Sequence, residues 1–392
     1  MAKGRDRSPR RVALMLPTDL ASGRAILRGV AAYTEERRCA WISRVGQARA
    51  GTLRELIAWK PGGIIAKIYD DKTARAVSRL RIPLVNTTNI ASLPLPRVAV
   101  DDVAAGRLAA QHFLERGFTN FAYVGFAQQH SPQSRQTAFI AELRKNRFEP
   151  HVYSRFDLLP FRRGETWGAV DPRFRQWLLA LPKPVALFAY HDFLAWEVLQ
   201  VCHATGLKIP EELALLGVDD DELFCRLAHP PLSSIAYPAE RIGYEAARML
   251  DRMMKGAQPG KPVFVAPSGV IVRQSTDVVA TQDDDLARAM RHIRAHLALP
   301  ISVASLLREV PVSRRTLEEK FRRTLGRSPL QEIRRMRLER ARHFLSSTRM
   351  SIFEIARRCG FSTPERFAAV FRQSAGLAPR QYRAKHGSPL AE

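Results

Sequence analysis

A segment near the C-terminus occurs twice, with the two copies about 50 residues apart. The first copy covers 303–329, and the second covers 352–379. The copies share apolar, serine, arginine, glycine and proline positions, which align as Val303 with Ile352, Leu306 with Ile355, Ser313 with Ser362, Leu317 with Phe367, Phe321 with Phe371, Arg322 with Arg372, Gly326 with Gly376 and Pro329 with Pro379. Each copy has the apolar spacing of a short helix, a turn and a second helix. The repeat therefore predicts an all-α C-terminal domain with two tandem helix-turn-helix units.

The turn between the two helices differs from one copy to the other. In the second copy, Gly360 follows the first helix and is free to adopt a positive φ. In the first copy the matching position is Pro311, and proline cannot adopt a positive φ. We therefore expect a different turn geometry in the first copy.

The second helix of each copy has a predicted start and a predicted core face. Ser313 and Ser362 are expected N-caps, because a serine oxygen accepts a hydrogen bond from a free N–H of the first turn. Side chains four residues apart are expected to point into the core, namely Leu317 with Phe321 and Phe367 with Phe371.

The segment between the copies predicts a long helix over 329–345. Its apolar residues share one face, and they are Leu330, Ile333, Leu338, Ala341, Phe344 and Leu345. A rigid helix here would fix the separation of the two units. Successive major-groove faces of DNA lie about 34–36 Å apart, so one chain would cover two turns of duplex.

Positive charge is concentrated in the same region. Residues 286–392 contain 23 Lys and Arg against 8 Asp and Glu, whereas residues 1–285 contain 39 against 30. A strongly basic domain joined to a less basic one is typical of nucleic-acid-binding proteins. Double-stranded DNA is the expected partner. Arginine at outward positions recognises guanine or phosphate, and glutamate accepts from cytosine. The candidate DNA contacts are Ser313, Arg314, Arg315, Glu318, Glu319, Arg322, Thr363, Pro364, Glu365, Arg366 and Arg372.

The first 273 residues have a different pattern, in which short apolar runs alternate with amphipathic stretches. The apolar runs are 12–16, 63–66, 82–86, 120–125, 185–190 and 213–218. Apolar strands joined by helices predict parallel sheets buried on both faces, and the length fits two lobes. The predicted organisation is a two-lobed α/β domain over 1–273, a polar linker over 274–285 and a helical domain over 286–386.

Short polar side chains follow most of these strands, at the sheet edge where parallel α/β folds bind ligands. They include Asp101, Asp192, Asp219 and Asp220, and Arg135 opens a helix as a hydrogen-bond donor. Any one aspartate here is also a typical cap or turn residue, so only their grouping indicates a site. Carboxylates that accept from hydroxyl groups, together with an arginine, favour a polyhydroxylated ligand.

The segments 100–126, 134–143 and 187–256 resemble the sensor domain of lactose-repressor-type regulators. The motifs that carry the resemblance are Asp192, Gly206, 209–210, 217–220, 230–233 and 242–243. The resemblance implies a periplasmic-binding-protein-like fold, with two lobes that close on an effector. It places Asp101, Arg135, Asp192 and Asp219 at effector contacts. The family usually has asparagine where this chain has His191.

The C-terminal domain resembles the DNA-binding domain of arabinose-regulator-type (AraC/XylS) proteins. The matching motifs are 337–342, 355–356, 360–361, Phe367, 370–372, Gly376, Pro379 and 382–383. A lactose-repressor-type sensor joined to this domain resembles xylose-responsive regulators. The combination implies a dimeric transcription activator of pentose catabolic genes, with D-xylose as its effector and RNA polymerase as a further partner.

Three alternatives stay open at this point. The same architecture would also suit another pentose, a hexose or a purine, and an inert sensor would make the protein a ligand-independent repressor. An enzyme would need the acidic run 219–222 and His191 as acid–base groups. No nucleophile elbow, phosphate-binding loop or dinucleotide motif is present, so we expect no enzyme.

The cysteines and the N-terminus indicate whether metal sites, disulfides or a secretion signal are to be expected. The four cysteines form no CxxC pair, so neither a metal site nor a disulfide framework is expected, and no cofactor is indicated. The apolar run after the basic N-terminus is too short for a signal peptide. We therefore expect a cytoplasmic protein without a membrane partner.

Overall fold

The computed structural model describes residues 9–46, 50–126, 134–156, 172–278 and 283–386. Strands and helices alternate up to residue 278, and helices alone form the part from 283 onward. The predicted fold class, a two-lobed parallel α/β domain followed by an all-α domain, is confirmed. Within these ranges, no helix is long and apolar enough to cross a membrane.

The first lobe is built around a four-stranded parallel sheet. Its first elements are β1 (Arg10–Met15), α1 (Ala21–Glu36), β2 (Trp41–Gly46), α2 (Ala50–Trp59), β3 (Gly63–Ala66), α3 (Asp71–Ser78), β4 (Leu84–Asn86) and β5 (Val98–Val100). The strand order is β2-β1-β3-β4. Strands β3 and β4 are buried throughout, as their continuous apolar runs predicted. Strand β2 was missed because its central residues are exposed at the sheet edge.

The second lobe contains a six-stranded sheet. Its elements are α4 (Asp102–Leu114), β6 (Asn120–Phe126), α5 (Arg135–Lys145), β7 (His151–Phe156), α6 (Pro172–Ala180), β8 (Val185–Ala189), α7 (Asp192–Thr205), β9 (Leu213–Asp219), α8 (Glu222–Leu227) and β10 (Ser233–Ala236). The chain continues through α9 (Ala239–Met254), β11 (Val263–Val265) and β12 (Val270–Ile271). The strand order is β12-β10-β9-β8-β6-β7, in which only β12 is antiparallel to its neighbour.

The chain crosses between the lobes three times, after β5, β10 and β11. Helix α9 returns to the first lobe and packs closely on α1. A Cβ atom on Gly29 would lie 1.9 Å from the Glu240 carbonyl oxygen, and one on Gly243 would lie 2.0 Å from the Ile26 carbonyl oxygen. Only glycine fits at these two positions, because any side chain would push the two helix backbones apart.

The helical domain has two cores that share one long helix. Its elements are α10 (Asp284–Ala295), α11 (Val303–Glu309), α12 (Arg314–Leu325), α13 (Pro329–Ser347), α14 (Ile352–Arg358), α15 (Pro364–Ala375) and α16 (Pro379–His386). The first core contains Leu306 and Phe321 with Ile333 from α13, and the second contains Phe371 with Leu338 from α13. Helix α13 therefore joins the two helix-turn-helix units as one packed element.

One predicted N-cap is confirmed and the other is wrong. Ser313 caps α12, and its Oγ accepts from the Thr316 N–H at 3.1 Å. Helix α15 is capped by Thr363 instead of Ser362. The cap moves by one residue because Pro364 occupies the first helical position and forces the residue before it into an extended conformation.

The predicted core face of α13 is correct except at its start. Ile333, Leu338, Ala341 and Leu345 are buried, but Leu330 is 59% exposed. Leu330 lies in the first turn of α13, which is not covered by the core that Ile333 enters. The predicted difference between the two turns is confirmed, because Val310 ends α11 in an extended conformation whereas Gly360 has a φ of 74°.

The first residues of the predicted linker pack against the second lobe. Gln274–Thr276 form a 3-10 turn in which Ser275 and Thr276 are fully buried. Ser275 Oγ donates to the Leu215 carbonyl at 2.6 Å. Residues 279–282 of the predicted linker lie outside the described residues. Asp283 caps α10, as expected for an acidic side chain before a helix.

Candidate ligand cavity and nucleic-acid interface

A cavity of about 280 Å³ lies between the two lobes. The first lobe contributes Ser22 and Lys67 to its lining, the second contributes Arg135 and Asp219, and Tyr237 comes from the crossing after β10. The volume is just below the range of about 300–1,000 Å³ that drug-sized ligands occupy. The cavity therefore suits a small ligand that contacts both lobes.

Arg135, at the start of α5, is paired with Asp102 at the start of α4. Its Nε donates to Asp102 Oδ1 at 2.8 Å, and Nη2 lies 2.8 Å from the same oxygen. Nη1 donates to the Tyr190 carbonyl, and the guanidinium stacks 4.3 Å from the centre of the Tyr190 ring. Burial lowers the pKa of Arg135, but the Asp102 carboxylate outweighs it and the net direction is upward. Arg135 is therefore a permanent cation held in one orientation.

Lys67 is a second buried cation, and it comes from the first lobe. It follows β3 directly, and its Nζ donates to Ser22 Oγ at 2.8 Å. The ammonium also lies 5.6 Å from the centre of the Tyr237 ring. Burial lowers the pKa of Lys67, and the carboxylate of Asp219 opposes that effect. The bond to Ser22 uses one of three ammonium donors, which leaves donors for a ligand.

Two carboxylates of the second lobe have different roles at the ends of β8 and β9. Asp192 is buried, and its Oδ1 accepts from Ser234 Oγ at 2.5 Å while Oδ2 accepts from the Asp221 N–H at 2.8 Å. Asp192 therefore fixes the loop after β9. Asp219 has a φ of 118°, which is unusual outside glycine, and burial raises its pKa to about 6. Asp219 lines the cavity together with Asp221 of the same loop.

His191 is both a helix cap and part of the cavity lining. Its Nδ1 accepts from the Leu194 N–H at 2.9 Å at the start of α7. Burial lowers the pKa of His191 to about 3, and the positive charges of Arg135 and Lys67 act in the same direction. A neutral imidazole that accepts at Nδ1 carries its proton on Nε2. His191 thus provides a donor where the family usually has asparagine.

The structure brings together three of the predicted ligand contacts. Arg135, Asp192 and Asp219 line the cavity, whereas Asp101 and Asp220 do not. Asp101 caps α4 by accepting from the Ala104 N–H at 2.9 Å. Asp220 accepts from Arg273 Nη2 at 2.8 Å.

Several residues of the cavity lining are not among the predicted ligand contacts. The predicted contacts included Asp101 instead of its neighbour Asp102, which also follows the strand, and they included neither Lys67 nor Tyr237. The lysine did have a signal in the sequence, because it interrupts the apolar run 63–68 at the end of a strand. A charged residue in such a run is buried only when it has partners. Tyr237 had no comparable signal.

The candidate DNA contacts lie on α12 and α15 and at their N-termini. Leu317, Phe321, Phe367 and Phe371 are fully buried, as predicted. The exposed candidates are Ser313, Arg314, Arg315, Glu319, Arg322, Thr363, Glu365, Arg366 and Arg372, whereas Glu318 and Pro364 are half-buried. Arg314 Nε donates to Glu318 Oε1 at 3.0 Å. Each second helix therefore buries an apolar face and exposes arginines to solvent.

Comparison with known proteins covers both parts of the chain. A periplasmic binding protein-like domain matches residues 110–276, and a helix-turn-helix domain matches residues 306–385. The xylose operon regulatory protein of Escherichia coli (strain K12) is 30% identical over 382 residues, which cover 95% of this chain and 96% of that protein. This chain belongs to the family of xylose operon regulatory proteins.

A second relative and a solved structure match nearly the whole chain. The protein from Haemophilus influenzae is 27% identical over 385 residues, which cover 95% of this chain and 98% of that protein. A solved structure of a xylose-binding transcription activator is 29% identical and has a TM-score of 0.60, with coverage of 97% of this chain and 99% of that one. The chain is a transcription regulator in which a periplasmic-binding-protein-like sensor precedes a helix-turn-helix DNA-binding domain, as predicted.

Proposed function

We propose that this chain is a D-xylose-dependent transcription activator that binds double-stranded DNA as a homodimer in the cytoplasm. The observation that carries the proposal is the cavity, where Lys67, Arg135, His191 and Asp219 converge from two lobes. The relatives named for xylose support the choice of effector.

The cavity matches the hydrogen-bonding needs of a sugar. Each sugar hydroxyl both donates and accepts. The carboxylates of Asp102 and Asp219 accept, whereas Arg135, Lys67 and His191 Nε2 donate. Because the two lobes supply different contacts to the same ligand, a bound sugar stabilises the arrangement in which the lobes are closed.

The helical domain would bind DNA through α12 and α15. Arg315 and Arg366 are our candidates for base contacts, and Arg322 and Arg372 are our candidates for phosphate. Helix α13 would set the spacing of the two units along the duplex. The activator role further requires a contact with RNA polymerase at the promoter.

Calorimetric titration of the full chain with D-xylose, L-arabinose, D-ribose and D-glucose tests the effector. We expect saturable binding of D-xylose that is lost in Arg135→Met. Arg144→Met is the control, because it removes an exposed arginine from the same helix, α5. If the protein binds another of these sugars and not D-xylose, that sugar is the effector. A chain that binds none of them would be better described as a ligand-independent repressor.

Footprinting and transcription assays test the regulatory step. The protected promoter region and the amount of transcript should both change when D-xylose is added. An identical footprint and an equal amount of transcript with and without D-xylose would contradict the proposal that the protein responds to this sugar. Light scattering of the free protein tests the homodimer.

A further inference from the structure

Helix α4 extends from the ligand cavity to the DNA-binding domain. Its first residue, Asp102, lines the cavity and holds Arg135. The helix runs from Asp102 to Leu114, which is about 20 Å at 1.5 Å per residue. Its C-terminal turn and the residues just after it contact α13, the helix that joins the two helix-turn-helix units.

The contact between α4 and α13 is made largely of charged groups. Arg335 Nη1 donates to Glu115 Oε2 at 2.7 Å, and Arg327 Nη2 donates to the Glu115 carbonyl at 2.9 Å. Arg335 also donates to Glu332 at 2.8 and 2.9 Å and to Glu339 at 3.0 Å. Two arginines thus meet the C-terminal end of α4, where the helix dipole favours cations.

The C-terminal end of α4 is also hydrogen-bonded to Thr276, at the end of the second lobe. His112 Nε2 lies 3.0 Å from Thr276 Oγ1, and Arg116 Nε donates to the Thr276 carbonyl at 3.2 Å. His112, Arg116, Thr276 and Glu332 are all less than 5% exposed. The base of the α4–α13 contact is therefore buried, whereas the Glu115 side chain at its edge is 42% exposed. The contact fixes the position of α13 relative to the second lobe.

We infer that α4 is the element that couples ligand binding to DNA binding, with Glu115 and Arg335 as its positioning residues. A sugar that competes for the Asp102 and Arg135 side chains shifts the N-terminal end of α4. The C-terminal end then moves α13, and both helix-turn-helix units move with it because α13 is part of both cores. This inference rests on the proposed function.

The test measures how strongly D-xylose changes DNA affinity in the full-length protein and in its variants. DNA affinity is measured by anisotropy with and without D-xylose, on a duplex selected from random sequence. The ratio of the two dissociation constants is the coupling factor, which for allosteric proteins is about 5–150. Glu115→Lys places a cation against Arg327 and Arg335, and we expect it to reduce the coupling factor by about fivefold or more. Glu115→Gln should have a smaller effect in the same direction.

Glu149→Lys is the matched control. Glu149 is an exposed glutamate of the same lobe, and it pairs with Arg144 away from the contact. We expect its coupling factor to stay within about twofold of the unaltered chain. The affinity of Glu115→Lys for D-xylose in the absence of DNA should also be unchanged, because Glu115 is remote from the cavity.

The outcomes separate this inference from the proposed function. An unaltered coupling factor in Glu115→Lys, in a chain that keeps its thermal stability and its affinity for D-xylose, would overturn the role of α4 alone. If the DNA affinity of the protein without substitutions does not respond to D-xylose, the proposed function is overturned, and so is the coupling role of α4.

Discussion

The ion pair between Arg135 and Asp102 predicts a large and non-additive effect on stability. Arg135→Met removes the guanidinium but keeps an unbranched side chain, and Asp102→Asn removes the charge but keeps the shape. Each single variant leaves one buried charge without its partner, whereas the double variant leaves neither. We therefore expect the double variant to lose less stability than the two single variants together.

The expected magnitude follows from distance and burial. Two unit charges at the 2.8 Å seen here attract by roughly 6 kcal/mol at an effective dielectric constant of about 20. Desolvation offsets part of this, and removing one partner of a buried pair costs about 3–5 kcal/mol. The side chains are 5% and 10% exposed, so solvent screens them little. We expect about 4 kcal/mol for Arg135→Met and a coupling energy of about 2 kcal/mol. Asp102→Asn should cost less, about 2 kcal/mol, because the amide oxygen still accepts a hydrogen bond from Arg135.

Urea unfolding followed by tryptophan fluorescence measures this effect in the sensor domain. All five tryptophans precede residue 200, so the DNA-binding domain does not contribute to the signal. The pair Arg144→Met and Glu149→Gln is the control, because both side chains are more than 60% exposed and their effects should be additive. Additivity within about 0.5 kcal/mol at Arg135 and Asp102 would refute the argument.

Three further predictions concern the turn, the DNA contacts and the carboxylate of the cavity. Gly360→Ala should cost about 1–3 kcal/mol in thermal unfolding, because φ is 74° and the new Cβ would lie 2.5 Å from a backbone oxygen. Gly326→Ala, with φ of 69° and open space around it, should cost less. Arg315→Gln should relax base preference at one position, whereas Arg372→Gln should weaken all duplexes alike; selection from random sequence distinguishes these outcomes, and the reverse pattern would exchange the two roles. The affinity for D-xylose should fall as the pH drops below 6, because burial raises the pKa of Asp219 to about 6 and its ionised form is the acceptor; calorimetry across pH 5–8 should show a flat profile for Asp219→Asn.

Sequence periodicity predicted the features that depend on neighbouring residues. The buried faces of α12 and α15 follow from apolar side chains four residues apart, and the turn at Gly360 follows from its missing Cβ. The misplaced cap at Ser362 also has a local cause, namely the proline two residues later. The repeat itself contained this information, since the second copy has one residue more before Phe367 than the first copy has before Leu317.

Features that depend on the meeting of distant segments were not predictable in the same way. Asp101 and Asp102 are adjacent and chemically identical, yet only Asp102 faces Arg135. The choice is made by the path of the backbone as the chain enters α4, where Asp101 becomes the cap. The contact of Glu115 with Arg335 joins residues 220 positions apart, and neither segment has a pattern that indicates it.

Some basic residues of the helical domain pair with carboxylates and others do not, and this difference affects the charge that is available to DNA. Arg327 and Arg335, which contact the end of α4, pair with Glu332, and Lys320 of α12 pairs with Asp283 and Asp285. On α12 and α15, Arg315, Arg322, Arg366 and Arg372 are exposed, and within the described ranges no carboxylate lies within 4.0 Å of their charged groups. The excess of 23 basic over 8 acidic residues in this region therefore overstates the charge available to phosphate. Because Arg335 and Lys320 are held by carboxylates while Arg315, Arg322, Arg366 and Arg372 are not, these four arginines of the two second helices are part of the charge that remains available to DNA phosphates.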